Sequence, residues 1–355
     1  MTEQKIIITR DLKSELQALL ASSGYDRLFI LADANTQQKC YPLVRDIPAL
    51  QNARLITIRA GDMHKELEQV SQIWNRLSRE GASRNSLLMN LGGGMVTDLG
   101  GFAGATFKRG LHTINLPTTL MASVDAAVGG KTGINFNGLK NEIGAFHFPD
   151  YVVIDSIFLR TLDQDNLLSG YAEMIKHGLI DSTRIWSDVL TFDPDVRRLD
   201  VETLNRLVAE SVAVKERIVT EDPKEHGIRK ALNFGHTVGH AFESLSFERP
   251  RPLLHGHAVA AGLVCELYLS HKCCDFPADT FRQTVQFINT RYPPFVFDCN
   301  DYETLYERMT HDKKNENGNI HFTLLAQIGD VRIRQTIDRE TVLESLDFYR
   351  ETSLQ

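Results

Sequence analysis

The stretch LLMNLGGGMVTDLGGFAGATFKRG, residues 87–110, decides the fold class of the N-terminal half of the chain. An apolar run is followed by three glycines, Gly92 to Gly94, and then by a pattern typical of a helix. Glycines at such a turn let the backbone approach a pyrophosphate, and the following helix N-terminus offers free N–H groups. Since the GxGxxG fingerprint is absent, the glycines are equally explained by backbone conformation alone. Asp98 is then either a ribose or amide partner or a first-turn residue that favours the helix dipole.

The sequence on either side of this stretch alternates strand-like and helix-like patterns. Three strand-like runs precede it: KIIIT, RLFILADANT and ARLITIRAG. The amphipathic stretch LKSELQALLASSG follows the first run, and KELEQVSQIWNRLSREG follows the third. The strand-like HTINLPTT and DYVVIDS come after the glycines. This alternation is typical of an α/β fold with a parallel sheet covered by helices. After about residue 156, long helical patterns dominate, including QDNLLSGYAEMIKHGLI, VETLNRLVAESVAVKERIVT and HGHAVAAGLVCELYLSHKCC. We therefore predict two domains, an α/β domain over residues 1–157 and a mostly α-helical domain over residues 158–355.

Two shorter patterns refine the end of the second domain. IHFTLLAQIGDVRIRQTI alternates apolar and polar residues like a hairpin. DRETVLESLDFYRETS then predicts a closing amphipathic helix.

Composition and charge limit the class of protein. Of the 355 residues, 42% are hydrophobic and 24% charged, as in ordinary soluble globular proteins. With 46 acidic and 39 basic residues the formal charge is −7, and no basic block runs along the chain, which argues against nucleic-acid binding. The apolar run near the N-terminus is too short for a signal sequence or a membrane span, so we expect a cytoplasmic protein with no membrane association.

The cysteines argue against a disulfide framework. Their number is odd and no CxxC pair occurs, which also disfavours a thiolate zinc site. We predict reduced, mostly buried thiols at Cys40, Cys265, Cys273, Cys274 and Cys299.

Residues 115–146, NLPTTLMASVDAAVGGKTGINFNGLKNEIGAF, are rich in glycine and asparagine. We interpret this segment as a functional loop. Lys131 follows a glycine pair, and Lys140 lies close to another glycine, where open backbone and free N–H groups favour anion binding. Either lysine alone is as readily a solvated surface residue.

A pair of histidines is a candidate for metal binding. In ALNFGHTVGH, His236 and His240 are four residues apart and share one helix face. Glu173 in GYAEMIKHG and His255 in LLHGHAVAAG offer further ligands, and two histidines with one carboxylate suit a catalytic zinc ion. The spacing is weak support, because the chain has 12 histidines. Three of the others look like ordinary core or surface residues: His177, His226 and His271.

Six separated stretches resemble the 3-dehydroquinate synthase family, in order and over nearly the whole chain. They are GGGMVTDLGGFAGATFKRG, PTTLMASVDAAVGGKTGINFNGLKNEIGAF, GYAEMIKHGLI, EDPKEHGIRKALNFGHTVGHAFE, LHGHAVAAGL and DKKNENGNIHFTLL. The resemblance implies a Rossmann-like NAD-binding N-terminal domain, a helical metal- and substrate-binding C-terminal domain, and an active site in the cleft between them. It further implies NAD and one zinc or cobalt ion as cofactors, and a homodimer.

The resemblance also implies roles for individual residues. The metal ligands fall on Glu173, His236 and His255, and His240 is a proton-transfer residue beside the metal. The catalytic positions are Glu225, His240, Lys131 and Arg109. The NAD contacts are Asp33, Asn35, Asp62, Lys65, Gly93, Gly94, Met95, Asp98, Thr118, Thr119, Lys140, Phe158, Leu159, Arg160 and Thr161. The substrate contacts are Arg109, Asp125, Lys131, Asn141, Lys176, Lys215, Arg229, Asn233 and, of the pair Lys313-Lys314, Lys314.

The implied reaction is a step of the shikimate pathway catalysed by a phosphate-eliminating carbon–oxygen lyase. 3-Deoxy-D-arabino-heptulosonate 7-phosphate is oxidised transiently by NAD, loses phosphate, is reduced again and closes by an aldol step to 3-dehydroquinate. The substrate carries a carboxylate and a phosphate, and six dispersed basic residues account for their recognition without a basic run.

Two departures from the family pattern and three rival functions remain. His257 stands where an acidic residue is usual. A change at this position can alter the orientation of the neighbouring metal ligand. Ser169 stands at a cofactor-contact position where some members have asparagine. The rivals are another sugar-phosphate cyclase, of the 2-deoxy-scyllo-inosose or 2-epi-5-epi-valiolone synthase type, a metal-dependent polyol dehydrogenase of the glycerol dehydrogenase type, and a non-catalytic NAD-binding protein with a structural zinc ion.

Overall fold

The structure, a computed structural model, describes residues 4–137, 139–310 and 320–353. It divides into two compact units, Met1–Asp163 and Gln164–Gln355. Each unit buries its own set of apolar side chains. Among the helices of these described ranges, none has both the length and the apolar character needed to cross a membrane.

The N-terminal unit contains a six-stranded sheet whose paired strands are all parallel. Its strands are β1 (Lys5–Thr9), β2 (Leu28–Asp33), β3 (Arg54–Ile58), β4 (Leu87–Gly92), β5 (His112–Pro117) and β8 (Tyr151–Asp155), in the spatial order β1-β8-β5-β4-β2-β3. Its helices are α1 (Leu12–Ala21), α2 (Ala34–Lys39), α3 (Leu67–Arg79) and α4 (Gly94–Thr106). The α/β alternation predicted from the sequence is therefore confirmed.

Both faces of this sheet are buried, as expected where parallel strands have continuous apolar runs. On one face, Ile30 and Met89 pack in a cluster with side chains of α1. On the other, Leu31 and Leu88 pack with side chains of α3 and α4. Because both faces are covered, a ligand can approach this sheet at the ends of its strands.

Residues 115–146 are not the loop that we predicted. They contain a π-helical turn, Ala122–Ala126, and an antiparallel hairpin of β6 (Lys131–Phe136) and β7 (Leu139–Phe146). The missed signal is the dipeptide Asn137-Gly138, which is typical of two-residue hairpin turns, and Asn137 has the φ of 50° that favours such a turn. Position 144 in the hairpin requires glycine, because a Cβ there would be 2.3 Å from a main-chain oxygen of the partner strand.

The C-terminal unit is mostly helical. Its helices are α5 (Gln164–Asp181), α6 (Thr183–Thr191), α7 (Val201–Glu221), α8 (His236–Ser246), α9 (His255–Cys274), α10 (Ala278–Arg291), α11 (Tyr302–Thr310) and α12 (Arg339–Ser353). β9 (Phe322–Gln327) and β10 (Asp330–Gln335) form the predicted antiparallel hairpin. Helix α9 packs against α5, α8, α10, α12 and β9, which makes it the central element of this unit.

The prediction that most cysteines are buried is wrong. All five are free, but only Cys40 and Cys265 are buried, while Cys273 and Cys299 are exposed and Cys274 is half-buried. Cys273 and Cys274 lie in the last turn of α9, where this otherwise buried helix reaches solvent.

Candidate functional site

The residues implied as NAD contacts follow the carboxyl ends of strands in the N-terminal unit. Asp33 ends β2, Gly93 follows β4, and Thr118 follows β5. Asp62 and Lys65 follow β3, and the helical turn Ser156–Thr161 follows β8. Because these strands are parallel, the residues lie along one edge of the sheet, the edge at which open α/β sheets bind ligands.

The turn between β4 and α4 is packed too closely for side chains. A Cβ at Gly92 would lie 2.4 Å from Val96 Cβ, and one at Gly93 would lie 3.0 Å from Thr119 Cγ2. Within the part of the chain that the structure describes, no side chain caps the N-terminus of α4. The first N–H groups of α4 and its helix dipole therefore suit an anion such as a pyrophosphate.

Five of the implied residues belong to one polar network, in which Asn135 donates to the main-chain oxygen of Asp62 and accepts the main-chain N–H of Asn141. The buried Lys65 donates from Nζ to the side-chain oxygens of Asp98 and Asn141. Lys140 Nζ lies 2.8 Å from Asp62 Oδ2. The alternative interpretation of Asp98 as a first-turn residue is wrong, because α4 begins at residue 94 and has no acidic residue in its first turn. The network joins the segment after β3 to α4 and β7.

Two implied NAD contacts also stabilise local structure. Asp33 Oδ1 accepts the N–H groups of Asn35 and Thr36, both at 2.8 Å, and so caps α2. Thr119 Oγ1 accepts the N–H of Ala122 at 3.1 Å, at the start of the π-helical turn. These bonds hold the two side chains at the carboxyl edge of the sheet.

Three further residues implied for the substrate belong to other segments of the N-terminal unit. Asp125 lies in the π-helical turn, and Lys131 is exposed at the start of β6. Arg109 is exposed just after α4, at the opposite end of that helix from Gly94. The N-terminal unit therefore does not bring Arg109 to the edge where the glycine turn lies.

In the C-terminal unit, glycines let α8 and α9 approach closely. A Cβ at Gly262 would lie 2.1 Å from the carbonyl oxygen of Gly235, and one at Gly239 would lie 3.0 Å from a carbonyl oxygen of α9. This contact brings His236 of α8 beside His255 of α9, with ring centroids 5.4 Å apart.

Gly262→Ala is expected to lower the free energy of unfolding by about 1–3 kcal/mol, because the added methyl group forces α8 and α9 apart. Urea denaturation of the metal-free protein measures the change. Gly24→Ala is the control, because its Cβ would meet no atom within 4 Å, and we expect a change of no more than about 0.5 kcal/mol. A Gly262→Ala variant as stable as the Gly24→Ala variant would contradict the close helix contact.

A buried carboxylate of α9 holds the start of α8. Glu266 accepts the N–H groups of Gly235 at 2.7 Å, Thr237 at 2.9 Å and Val238 at 3.2 Å. Main-chain donors at a helix start have no partner within the helix, so this cap satisfies them. It fixes the turn in which His236 lies.

Three side chains converge in the C-terminal unit. Glu173 on α5 is fully buried, and its Oε1 has no hydrogen-bond partner. This oxygen lies 3.5 Å from His236 Nε2 and 3.8 Å from His255 Nε2. Two ligand atoms that each lie about 2.0–2.1 Å from one tetrahedral zinc ion are roughly 3.4 Å apart. The spacing therefore fits one shared divalent ion.

The other ring nitrogens of the two histidines support the same interpretation. His236 Nδ1 lies 3.1 Å from the carbonyl oxygen of Phe234, and His255 Nδ1 lies 3.1 Å from Glu243 Oε2. A carbonyl and an ionised carboxylate can only accept, so Nδ1 is the donor in both rings. In the neutral rings each Nε2 then carries a lone pair, and it lies within 4 Å of Glu173 Oε1. A cation between these atoms removes their mutual repulsion, and the donor set is typical of catalytic zinc.

His240 offers a second ligand set. As predicted, it lies on the same face of α8 as His236, and the ring centroids are 5.3 Å apart. One ring nitrogen from each of His236, His240 and His255 lies within 4.8 Å of the other two. The two ligand sets share His236 and His255, and they differ in the third ligand, which is Glu173 in one and His240 in the other. The buried, unpartnered oxygen favours Glu173, because leaving it without a partner costs free energy.

Three basic residues implied for the substrate are buried in this unit. Lys176 is 1% exposed, Lys215 6% and Arg229 2%. They lie on α5, on α7 and on the helical turn Ile228–Asn233, which pack against one another. Lys176 Nζ pairs with Glu173 Oε2. Positive charge gathered in a buried place attracts anions with less screening by water than at the surface, so this arrangement suits an anionic ligand.

The loop after α7 holds Glu225 in a left-handed conformation, with φ at 62°. Its Oε1 accepts the side-chain N–H of Asn233 at 2.8 Å. Asp222 accepts main-chain N–H groups from two loop residues, His226 and Gly227, and from Arg229 in the following helical turn. Burial raises the pKa of Asp222, but these hydrogen bonds outweigh it and bring the pKa below its ordinary value. The left-handed backbone of Glu225 is a strained conformation of a kind that is common at functional sites.

His257, two residues after His255, contacts a side chain at the end of α10. Its ring packs edge-on against Tyr292, with centroids 5.6 Å apart, and burial lowers its pKa. Glu243, and not His257, contacts the second ring nitrogen of His255. An effect of His257 on the orientation of His255 stays a prediction.

Ser169 and the Lys313-Lys314 pair are the remaining predicted positions. Ser169 Oγ accepts the N–H of Gly256 at 3.1 Å, at the start of α9. Lys313 and Lys314 lie outside the described residues. Three residues with structural roles near the site were not predicted from the sequence: Asp222, Glu243 and Glu266. Glu243 follows His240 on the helix face predicted to carry the histidines.

Known proteins resemble this chain over its whole length. Residues 55–169 match the family model described as 3-dehydroquinate synthase N-terminal, and residues 170–315 match 3-dehydroquinate synthase C-terminal. A 3-dehydroquinate synthase of Parabacteroides distasonis is 67% identical over 352 residues, covering 99% of both chains. One of Pyrococcus furiosus is 37% identical over 341 residues, covering 96% of this chain and 98% of the relative.

Solved structures share the fold at lower identity. A 2-epi-5-epi-valiolone synthase from Streptomyces hygroscopicus with NAD+ and Zn2+ bound has a TM-score of 0.87 at 22% identity, covering 99% of this chain and 98% of that one. A 2-deoxy-scyllo-inosose synthase complexed with carbaglucose-6-phosphate, NAD+ and Co2+ has a TM-score of 0.82 at 19% identity, covering 98% and 96%. A glycerol dehydrogenase from Schizosaccharomyces pombe has a TM-score of 0.69 at 14% identity, covering 99% and 90%. At these identities the structures show the fold alone.

Proposed function

The chain belongs to the 3-dehydroquinate synthase family, and we propose that it converts 3-deoxy-D-arabino-heptulosonate 7-phosphate to 3-dehydroquinate and phosphate. In this proposal NAD binds at the carboxyl edge of the N-terminal sheet, and Glu173, His236 and His255 hold one zinc or cobalt ion. The observation that carries it is the buried Glu173 Oε1, which faces two imidazole nitrogens without a hydrogen-bond partner. The NAD+ with Zn2+ or Co2+ in two fold neighbours supports the cofactors.

The divalent ion and NAD would supply different parts of the redox chemistry. When bound, the divalent ion polarises a substrate hydroxyl, and NAD accepts a hydride and returns it within the same turnover. The side chains of this protein bind and orient the substrate and move its protons.

Buried cations recognise the charged groups of the substrate. Arg229 offers a planar pair of N–H donors that suits a carboxylate or phosphate, and Lys176 and Lys215 act as point charges. Because all three are buried, their attraction to an anion is less screened by water than at the surface. Lys314, Arg109, Asp125, Lys131 and Asn141 stay predictions as substrate contacts.

Two groups are suited to move protons. Asn233 holds the Glu225 carboxylate through its side-chain amide, and His240 lies beside both candidate ligand histidines. A positioned carboxylate and an imidazole are common general acid–base groups. We assign proton transfer to a carboxylate oxygen of Glu225 and to Nε2 of His240.

The function is tested by phosphate release from the heptulosonate phosphate with purified protein, NAD and zinc. We expect one phosphate and one 3-dehydroquinate per substrate consumed, identified by mass spectrometry, with no net NADH. Omitting NAD or adding a chelator is expected to stop phosphate release, because both cofactors are needed before elimination.

Other outcomes would select the rival functions. NADH that accumulates without phosphate release would select a polyol dehydrogenase. Phosphate release from glucose 6-phosphate or sedoheptulose 7-phosphate, but not from the heptulosonate phosphate, would select another sugar-phosphate cyclase. NAD and zinc binding without turnover of any of these substrates would select a non-catalytic protein. The predicted homodimer, the cytoplasmic location and the absence of nucleic-acid binding stay predictions.

A further inference from the structure

The two histidines assigned to the metal differ in what holds their second ring nitrogen. His236 Nδ1 is held by the main-chain carbonyl of Phe234, whereas His255 Nδ1 is held by the side-chain carboxylate of Glu243, each at 3.1 Å. A main-chain contact does not depend on residue type. The contact to His255 therefore depends on one replaceable side chain.

Glu243 is placed to orient a group on the neighbouring helix. It lies on α8, seven residues after His236, and its contact with His255 crosses from α8 to α9. Only 4% of Glu243 is exposed. Burying a carboxylate costs free energy unless a hydrogen bond or an opposite charge compensates it. An imidazole that binds a metal ion through one ring nitrogen provides both, because its other ring nitrogen donates an N–H and the ring gains positive character.

The rotation of the His255 ring determines whether it can bind an ion. His255 is only half-buried, so packing restrains its ring less than that of the buried His236. The hydrogen bond to Glu243 fixes the proton on Nδ1 and leaves Nε2 toward Glu173 Oε1, 3.8 Å away. The negative charge of Glu243 also strengthens Nε2 as an electron-pair donor.

We propose that Glu243 is a positioning residue that orients His255 and strengthens its bond to the metal ion. This inference rests on the metal site of the proposed function. Glu243 is not one of the three assigned ligands, so removing it is expected to weaken metal binding without removing a ligand.

The experiment compares zinc affinity in three variants by competition with a chromogenic chelator. Glu243→Ala is expected to raise the zinc dissociation constant by about 10–100-fold, the usual effect of removing a carboxylate behind a histidine ligand. Glu243→Gln keeps an acceptor for Nδ1–H but loses the charge, so we expect an intermediate value. Glu248→Gln is the matched control, because Glu248 is exposed and pairs with Arg308, and it should bind zinc like the wild type.

Two further readouts separate positioning from a purely structural role. The visible absorption bands of the cobalt-loaded protein should shift in Glu243→Gln and not in Glu248→Gln. Unfolding of the metal-free protein shows whether Glu243→Ala folds, and Glu243→Gln carries the test if it does not. Wild-type zinc affinity and an unshifted cobalt spectrum in Glu243→Gln would overturn the inference while leaving the proposed function intact. Failure of the wild-type protein to bind zinc would instead overturn the metal site itself.

Discussion

Glu173→Gln is expected to lose tight zinc binding and activity together. Its Oε1 is the atom that faces the Nε2 atoms of His236 and His255, and a neutral amide is a far weaker ligand than a carboxylate. We expect zinc affinity to fall by more than about 100-fold, which exceeds the effect of losing a ligand's hydrogen-bond partner. Phosphate release should fall by about 10³-fold or more, because an essential electrostatic group is lost.

The choice of glutamine matters because of Lys176. Glu173→Ala leaves this lysine, which is 1% exposed, without its carboxylate partner and is expected to cost about 3–5 kcal/mol of folding free energy. Glutamine keeps the volume and an oxygen near Lys176, so loss of metal can be measured on folded protein. Zinc per chain by plasma emission spectrometry, with circular dichroism as the folding check, tests the prediction. A folded Glu173→Gln variant with one zinc ion and wild-type turnover would remove Glu173 from the ligand set.

His240→Ala is expected to lose activity while keeping its zinc ion. If His240 transfers protons, phosphate release should fall by about 10²–10⁴-fold, the usual contribution of a general acid–base group. Zinc stoichiometry should stay at one per chain, because Glu173, His236 and His255 are unchanged. The two effects are measured on the same preparations by the phosphate assay and by metal analysis.

The control for His240 is His271→Ala at the far end of α9, where the side chain is exposed and contacts the carbonyl oxygen of Phe276. This variant is expected to match the wild type in zinc content and turnover. If His240→Ala loses zinc and Glu173→Gln keeps it, the three-histidine set holds the metal. If His240→Ala turns over at the wild-type rate, His240 has no role in proton transfer.

Local patterns predicted the elements of the fold well, because each depends on nearby residues. The strand-like RLFILADANT became β2, and the 20 residues from His255 to Cys274 became α9 as predicted. The hairpin of β6 and β7 was missed because glycine and asparagine content was weighed above the Asn137-Gly138 turn signal. Burial of Cys273 was also misjudged, since it depends on where α9 leaves the core.

The candidate site was only partly predictable, since its contacts join distant parts of the chain. The spacing of His236 and His240 placed both on one face of α8, but could not say which of them faces Glu173. Contacts from α8 to α9, such as those of Glu243 and Glu266, have no sequence spacing that identifies them. They depend on the packing of the two helices, which glycines at 239 and 262 permit.

One divalent ion held by Glu173, His236 and His255 is the feature on which the proposed reaction depends. Anomalous diffraction at the zinc absorption edge from crystals of the zinc-loaded protein tests it most directly. We expect a single strong peak bonded to Glu173 Oε1, His236 Nε2 and His255 Nε2, with His240 not bonded to it. A peak bonded to His240 in place of Glu173, or no peak among these side chains, would contradict the proposed metal site.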